Sequence, residues 1–332
     1  MAELPQLRLV PPPTVDGSAS RRSSSARRGA RPGRVVSVGG GKGGVGKSLV
    51  AASLGIEFAR RGFRVVLIDC DLGGANLHTC LGLDPPRRTL SDFVNHRVER
   101  IEDVLVATGI PNLSLVSGAL DQLDAANPNH GQKMRFIRHL QSMEADYAIL
   151  DLGAGTQKNT LDFFLLADHK VLVLVPEPSA VENAHRFVKA AFLRRLRAAS
   201  TIFGVAPLLD EVLAGDRFQG PSEILEAIQG ADAETGRQLR EQMEAFRPGL
   251  VVNQARTPED AELGLGVATA WRRHFGIDMD VLGTVEYDDE VWRAARERRP
   301  LLLARSEGRA ARSLARIASR IQALDALADT GG

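Results

Sequence analysis

Gly39-Gly40-Gly41-Lys42-Gly43-Gly44-Val45-Gly46-Lys47-Ser48 decides how the other residues of this 332-residue chain are read. A β-branched run, Val35-Val36-Ser37-Val38, precedes it, and Leu49 to Ile56 follows with helical spacing. Strand, glycine loop and helix form the context in which a phosphate-loop pattern predicts a nucleotide site. Glycines let backbone N–H groups turn inward around an anion, and the helix N-terminus adds the positive end of its dipole. In the pattern G-x-x-x-x-G-K-[ST], Gly41 and Gly46 are the outer glycines, with Lys42, Gly43, Gly44 and Val45 between them. Lys47 is then expected at the β- and γ-phosphates, and the Ser48 hydroxyl on Mg²⁺.

Working outward, two apolar runs end in acid. Phe63-Arg64-Val65-Val66-Leu67-Ile68 closes in Asp69-Cys70-Asp71, and Tyr147-Ala148-Ile149-Leu150 closes in Asp151-Leu152-Gly153. Ligands of open α/β sheets gather at the carboxyl ends of strands, which aims both acidic ends at the phosphates. Asp151 is the carboxylate expected to hold Mg²⁺, directly or through water. A third run, Leu250-Val251-Val252, closes in Asn253, whose carboxamide offers the donor and acceptor that suit a purine edge. A guanine site would want N-K-x-D; Gln254 and Arg256 break that pattern and favour ATP. With further strands at 113–118, 170–175 and 281–285 and helical patterns between them, the fold expected is α/β. It is a mostly parallel twisted sheet with helices on both faces.

Two lysines stand in the loop, Lys42 as well as Lys47, so that it reads K-G-G-V-G-K-S. This resembles the deviant Walker A loop of the ParA/MinD family of dimerising ATPases, and the resemblance extends over residues 34–196 and 249–300. It implies that Lys42 reaches across a dimer interface to the partner's phosphates. It implies that the D-x-D segment is a first switch, with Asp71 orienting the attacking water and Asp69 supporting the Mg²⁺ and water network. Gly153 would offer its N–H to the γ-phosphate as part of a second switch, and Asn253 would contact adenine. The segment Pro176-Glu177-Pro178 through Glu182-Asn183-Ala184 resembles the MinD/FlhG-like branch, which places Glu182 and Asn183 at the dimer face. Where the family often has proline, this chain has Glu286. The implied function is an ATP-dependent dimerisation switch, reset by slow, partner-stimulated hydrolysis, that positions flagellar, division or polar machinery. A non-catalytic nucleotide-binding scaffold that recruits a partner protein is the alternative.

The remaining chain says less. Composition is ordinary, with 25% charged residues and a net charge of +1, so charge does not argue for nucleic acid as a general partner. Cys70 and Cys80, the only cysteines, have no framework or zinc spacing and suit a reducing compartment. That cytoplasmic expectation leaves a peripheral visit to the inner face of the membrane open. Residues 1–33 read as a disordered basic arm whose arginines face only Glu3 and Asp16. Contact with nucleic acid or an anionic membrane surface and plain solvation are equally open for it. Residues 34–305 form the ATPase domain, and within it 197–247 read as a helical insertion cut by Gly204, Gly215 and Gly220-Pro221. Ser91 and the pair Ser179/Glu182 are expected to cap helices. Residues 306–332 hold a terminal amphipathic helix whose Leu314, Ile317, Ile321, Leu324 and Leu327 share one face. That face is expected to dock on the core.

Overall fold

The computed structural model describes residues 33–71, 74–118, 128–214 and 220–330. The arm expected over residues 1–33 lies outside these but for Gly33. Eight strands make one sheet: β1 (Arg34–Gly39), β2 (Val65–Asp69), β3 (Leu105–Ala107), β4 (Leu113–Val116), β5 (Tyr147–Asp151), β6 (His169–Leu174), β7 (Gly249–Ala255) and β8 (Asp280–Glu286). Their order is β3-β4-β2-β5-β1-β6-β7-β8. Every neighbouring pair is parallel apart from β3 on β4. The sheet is therefore the mostly parallel one expected. The short antiparallel edge strand β3 carries too little pattern to be read from sequence.

Strand alternation sorts side chains into two cores. Val36, Val38, Leu67 and Ile149 face one layer, with Val50, Leu54 and Phe58 of α1 (Lys47–Arg60). Val35, Ile68 and Leu150 face the other, with Phe164 of α5 (Lys158–Leu166) and Phe187, Phe192 and Leu196 of α6 (Pro178–Ile202). Successive side chains point to opposite faces of a strand, so near-continuous apolar runs mark strands covered on both sides. β5 is paired between β1 and β2, with Asp151 beside Val38 on one side and Asp69 on the other. The two acidic strand ends are therefore adjacent.

Both expected helix caps shift. Thr89, not Ser91, caps α3 (Leu90–Val94), in a reciprocal box with Asp92; Ser91 is buried inside the helix. α6 begins after Glu177 with Pro178 in its first turn, so Ser179 is already helical and its box with Glu182 does not form. Proline suits that first position because its missing N–H would have no helical partner there. α6 also runs on to Ile202, past the expected start of the insertion. Beyond it come α7 (Ala206–Ala214), α8 (Pro221–Ala231) and α9 (Ala233–Glu244). They add Leu209, Leu225, Ile228, Leu239 and Met243 to the α6-side core. The buried Arg195 guanidinium ties α6 to α9 by donating to the Gln242 carbonyl at 2.9 and 3.0 Å.

The closing helix α13 (Arg309–Thr330) packs on α1 and β8. Leu314, Ile317 and Ile321 are buried in the α1-side core, while Leu327 is exposed. Asp325 fastens its end to the amino ends of three strands. Its carboxylate accepts from the Tyr147 hydroxyl at 2.6 Å and pairs with His169 Nε2 at 2.7 Å and Arg34 Nε at 3.1 Å.

Candidate functional site

The glycine loop leaves β1 and enters α1 at Lys47. Its glycines meet different demands. A Cβ on Gly41 would lie 2.1 Å from the Asn183 carbonyl oxygen, so this glycine lets the loop pack on α6. A Cβ on Gly43 or Gly44 would meet nothing within 4 Å, so the loop is open at these two exposed positions. Gly46 has φ +92°, a left-handed conformation that glycine adopts freely.

Lys47 is almost fully buried. Among the described residues its ammonium donates only to the Lys42 carbonyl, at a long 3.5 Å. Burial lowers its pKa, and Asp151 and Asp71 act against that shift. A buried cation with unused donors is suited to an anionic ligand.

Asp69 and Asp151 differ in what surrounds their oxygens. Asp69 is wholly buried, and its two oxygens accept backbone N–H groups, from Asp71 at 3.1 Å and Leu77 at 3.0 Å. Burial pushes its pKa up to about 6. These two bonds organise the segment that carries Asp71. Asp151 is different: its Oδ1 is buried without a hydrogen-bond partner among the described residues. Burial, then the neighbouring Asp69 charge, pushes its pKa up to about 8, while a bond from Ser48 and the charge of Lys47 pull the other way.

An orphaned carboxylate oxygen beside a hydroxyl is a hard-oxygen donor pair that fits Mg²⁺. That ion uses one or two carboxylates and takes its other ligands from phosphate and water. Among the described residues no group of three or more His, Cys, Asp or Glu could hold a metal.

Asp71 and Gly153, one from each of the two expected switch segments, lie close together. A Cβ on Gly153 would lie 3.1 Å from Asp71 Oδ1. The structure thus brings together Lys47, Ser48, Asp71, Asp151 and Gly153 around the loop.

Lys42 and Asn253 are placed in ways that sequence did not suggest. Lys42 Nζ lies 3.0 Å from Glu177 Oε2 and donates to Ser179 Oγ at 3.1 Å, so the first lysine rests on its own α6. Asn253 is buried, and its Nδ2 donates to the Val45 carbonyl at 2.8 Å. The carboxamide clamps the loop from across the sheet and does not present its edge to solvent. Gln254, with φ +62°, and the register shift between β7 and β8 turn the backbone there. Beyond this turn Arg256 lies 3.8 Å over the Tyr287 ring, a contact missing from the expectation. Only the spacing of Tyr287 just after the last strand hinted at it.

Fold and loop together define a phosphate-loop nucleotide-binding protein. A profile of the CobQ/CobB/MinD/ParA nucleotide-binding domain matches residues 36–301, and the chain belongs to that family. The antiactivator FleN of Pseudomonas aeruginosa is 34% identical over 160 residues, 48% of this chain and 56% of that protein. The septum site-determining protein MinD of Synechocystis is 35% identical over 159 residues, 47% of this chain and 58% of that one. The chain therefore spans a little over half the length of these relatives. Among solved structures, MinD of Pyrococcus horikoshii in complex with Mg-ADP superposes with a TM-score of 0.60 at 20% identity, over 89% of this chain and 98% of that one. A ParA family ATPase of Chlorobium tepidum does so with a TM-score of 0.60 at 16% identity, over 87% and 98%. Likeness at such identities is a likeness of fold.

Proposed function

We propose that the chain is a Mg²⁺-dependent ATPase that works as an ATP-driven dimerisation switch for positioning a cellular structure. The buried, unpartnered Asp151 Oδ1 beside Ser48 and Lys47 carries the nucleotide part of this reading, since an oxygen left that way costs free energy unless a ligand takes it up. When bound, Mg²⁺ would supply positive charge against the charge that builds on the phosphates during transfer. Ser48 and Asp151 are the residues that would hold it.

The protein's own side chains do the rest. Lys47 supplies positive charge to the β- and γ-phosphates, and Gly153 offers its N–H to the terminal one. Asp71, which has no side-chain hydrogen bond among the described residues, orients the attacking water. Lys42 rests on Glu177 and Ser179 in one chain and swings to the partner's phosphates in the dimer. A bond between largely exposed groups is cheap to exchange in this way. A hydrolysis-stimulating protein and, through the arm at residues 1–33, an anionic membrane surface or nucleic acid are the partners this reading adds, at the inner face of the cell membrane.

Asp71→Ala is expected to keep ATP binding and dimerisation and to lose turnover; unchanged turnover removes Asp71 from its role. Lys42→Ala should bind nucleotide yet stay monomeric by light scattering with ATP, and a normal dimer would end the trans-lysine reading.

A further inference from the structure

Of the seven histidines, His185 and His274 are the two whose rings meet each other among the described residues. They come from different helices, His185 from α6 and His274 from the last turn of α10 (Pro258–Phe275). Their ring centroids are 5.0 Å apart and the ring planes tilt by 44°. Phe275 and Trp271 pack beside them, at 5.2 and 6.3 Å from the His185 ring. Glycine at position 220 makes room for His274, since a Cβ there would lie 3.1 Å from both Nδ1 and Cε1 of its imidazole. Ser222 Oγ donates to the His274 main-chain carbonyl at 3.2 Å, yet neither imidazole has a hydrogen bond among the described residues. His169 and His96, by contrast, have Asp325 and Arg135 at a ring nitrogen.

Ring packing alone does not account for the pair. Aromatic rings prefer offset-parallel or edge-to-face contact, and a 44° tilt is neither. Near neutral pH an imidazole is mostly uncharged and has one lone pair to give. Two imidazoles bound to one tetrahedral ion through nitrogens ~2 Å from it have ring centres ~5 Å apart, which is the spacing found. Both rings are half-buried, so water still reaches the space between the two helices.

We infer that His185 and His274 are the two protein ligands of a site for a divalent first-row transition ion of the Zn²⁺ class. Water fills the remaining positions, which makes the ion exchangeable. Imidazole suits Zn²⁺, Cu²⁺ and Ni²⁺, whereas the hard Mg²⁺ fitted by Ser48 and Asp151 takes oxygen, so the two sites do not compete for one ion. Lys189, one turn along α6, and Arg272 and Arg273 beside His274 oppose a dication. Arg272 is already paired with Asp278 at 3.3 Å, and the carbonyl end of α10 sets the negative pole of its dipole at His274. Glu182, one turn before His185, brings a carboxylate to the same helix face.

The place of the pair gives the ion something to act on. His185 lies two residues beyond Asn183, whose carbonyl oxygen packs against Gly41 of the glycine loop. Glu177 and Ser179, which hold Lys42, stand at the start of the same helix. An ion joining α6 to α10 would bear on the helix against which the loop leans.

The inference does not rest on nucleotide binding, dimerisation or hydrolysis, and its test needs none of them. Full-length protein is stripped with a chelator, kept in excess Mg²⁺ and titrated with Zn²⁺ by calorimetry. Wild type is compared with His185→Ala, His274→Ala and, as a histidine outside the pair, His96→Ala. Removing even an outer hydrogen-bond partner of a metal ligand weakens binding about ten-fold, so removing the ligand itself should cost that or more. His96→Ala should bind as wild type does. Thermal melts in chelator show whether each variant is folded; where an alanine variant melts early, His185→Phe or His274→Phe keeps a ring and removes the nitrogens. Cu²⁺ should bind more tightly than Zn²⁺. In Trp292→Phe protein, whose remaining tryptophan is Trp271, Cu²⁺ should also quench emission, because that indole lies 6.3 Å from the His185 ring. Zn²⁺ bound with wild-type affinity by both alanine variants would put the ion elsewhere, and wild-type protein that binds no Zn²⁺ would leave the rings as packing only. Either result overturns the inference, as does Cu²⁺ binding that leaves Trp271 emission unchanged.

Discussion

Replacing Asn253 by alanine separates two uses of one carboxamide. If Asn253 reads the base, its loss should hurt ATP and spare GTP. If it clamps the loop, both nucleotides should suffer alike. The structure favours the clamp: Nδ2 donates to the Val45 carbonyl at 2.8 Å, and both residues are buried. Removing the donor leaves that carbonyl unsatisfied, at a cost of about 1–3 kcal/mol. The part of this that falls on the nucleotide-ready loop, about 1–2 kcal/mol, weakens binding roughly 5–30-fold. Gly46→Ala approaches the same contact from the other side, since a Cβ there would lie 2.2 Å from Asn253 Nδ2. Titration calorimetry with Mg-ATP and Mg-GTP is the measurement. Equal factors for the two nucleotides, in both variants, are expected. A loss confined to ATP in Asn253→Ala would refute the clamp and restore the base-reading role.

Two further outcomes concern the interior. Asp325→Ala leaves Tyr147, His169 and Arg34 without their shared acceptor and should cost about 3 kcal/mol, lowering Tm by roughly 5 °C or more; an unchanged Tm would deny Asp325 its place in docking α13. Lys170 is buried with its ammonium on the Ala167 carbonyl at 2.6 Å. Burial and then Arg195 push its pKa down to about 8, against the pull of Asp168. Because the unfolded chain holds that proton up to about 10.4, stability should rise between pH 8 and 10 relative to Lys170→Met. The difference approaches about 3 kcal/mol, and denaturation curves that run parallel over this range would contradict it.

What could be read from the sequence was local and periodic. The loop from Gly39 to Ser48, the strands ending in Asp69 and Asp151, and the apolar face of α13 each declare themselves within one window. The cap of α3 is legible too, since Thr89 and Asp92 have capping-box spacing, whereas Ser91 lies two residues inside the helix. At α6 the same spacing in Ser179 and Glu182 misled, because Pro178 had already begun the helix. Partners far apart in the chain could not be read at all. Val45 and Asn253 are 208 positions apart, and Lys42 and Glu177 are 135 apart. No periodicity connects them; only the strand order that places β1 beside β6 and β7 beyond it does. Asp69 shows the limit of residue type as a guide. A carboxylate at a strand end suggests a metal ligand, and no window of sequence shows that Asp69 also accepts the backbone N–H groups of Asp71 and Leu77.

The sheet has two poles, and the same strands serve both. β5 begins at Tyr147, bonded to Asp325, and ends at Asp151 with an unpartnered oxygen. β1 begins at Arg34, paired with Asp325, and ends in the glycine loop. At the amino pole every named polar group finds a partner within the chain, so that pole contributes to stability and asks for no ligand. At the carboxyl pole the acids stand side by side in register, Asp69 against Asp151, and their mutual repulsion is tolerated because the ordering of the strands demands it. A cation or a proton must relieve it. The pole closed by α13 therefore serves stability and the opposite pole holds the charges that a ligand or a proton balances, so a substitution at Asp325 should lower stability without touching nucleotide affinity, whereas one at Asp151 should do the reverse.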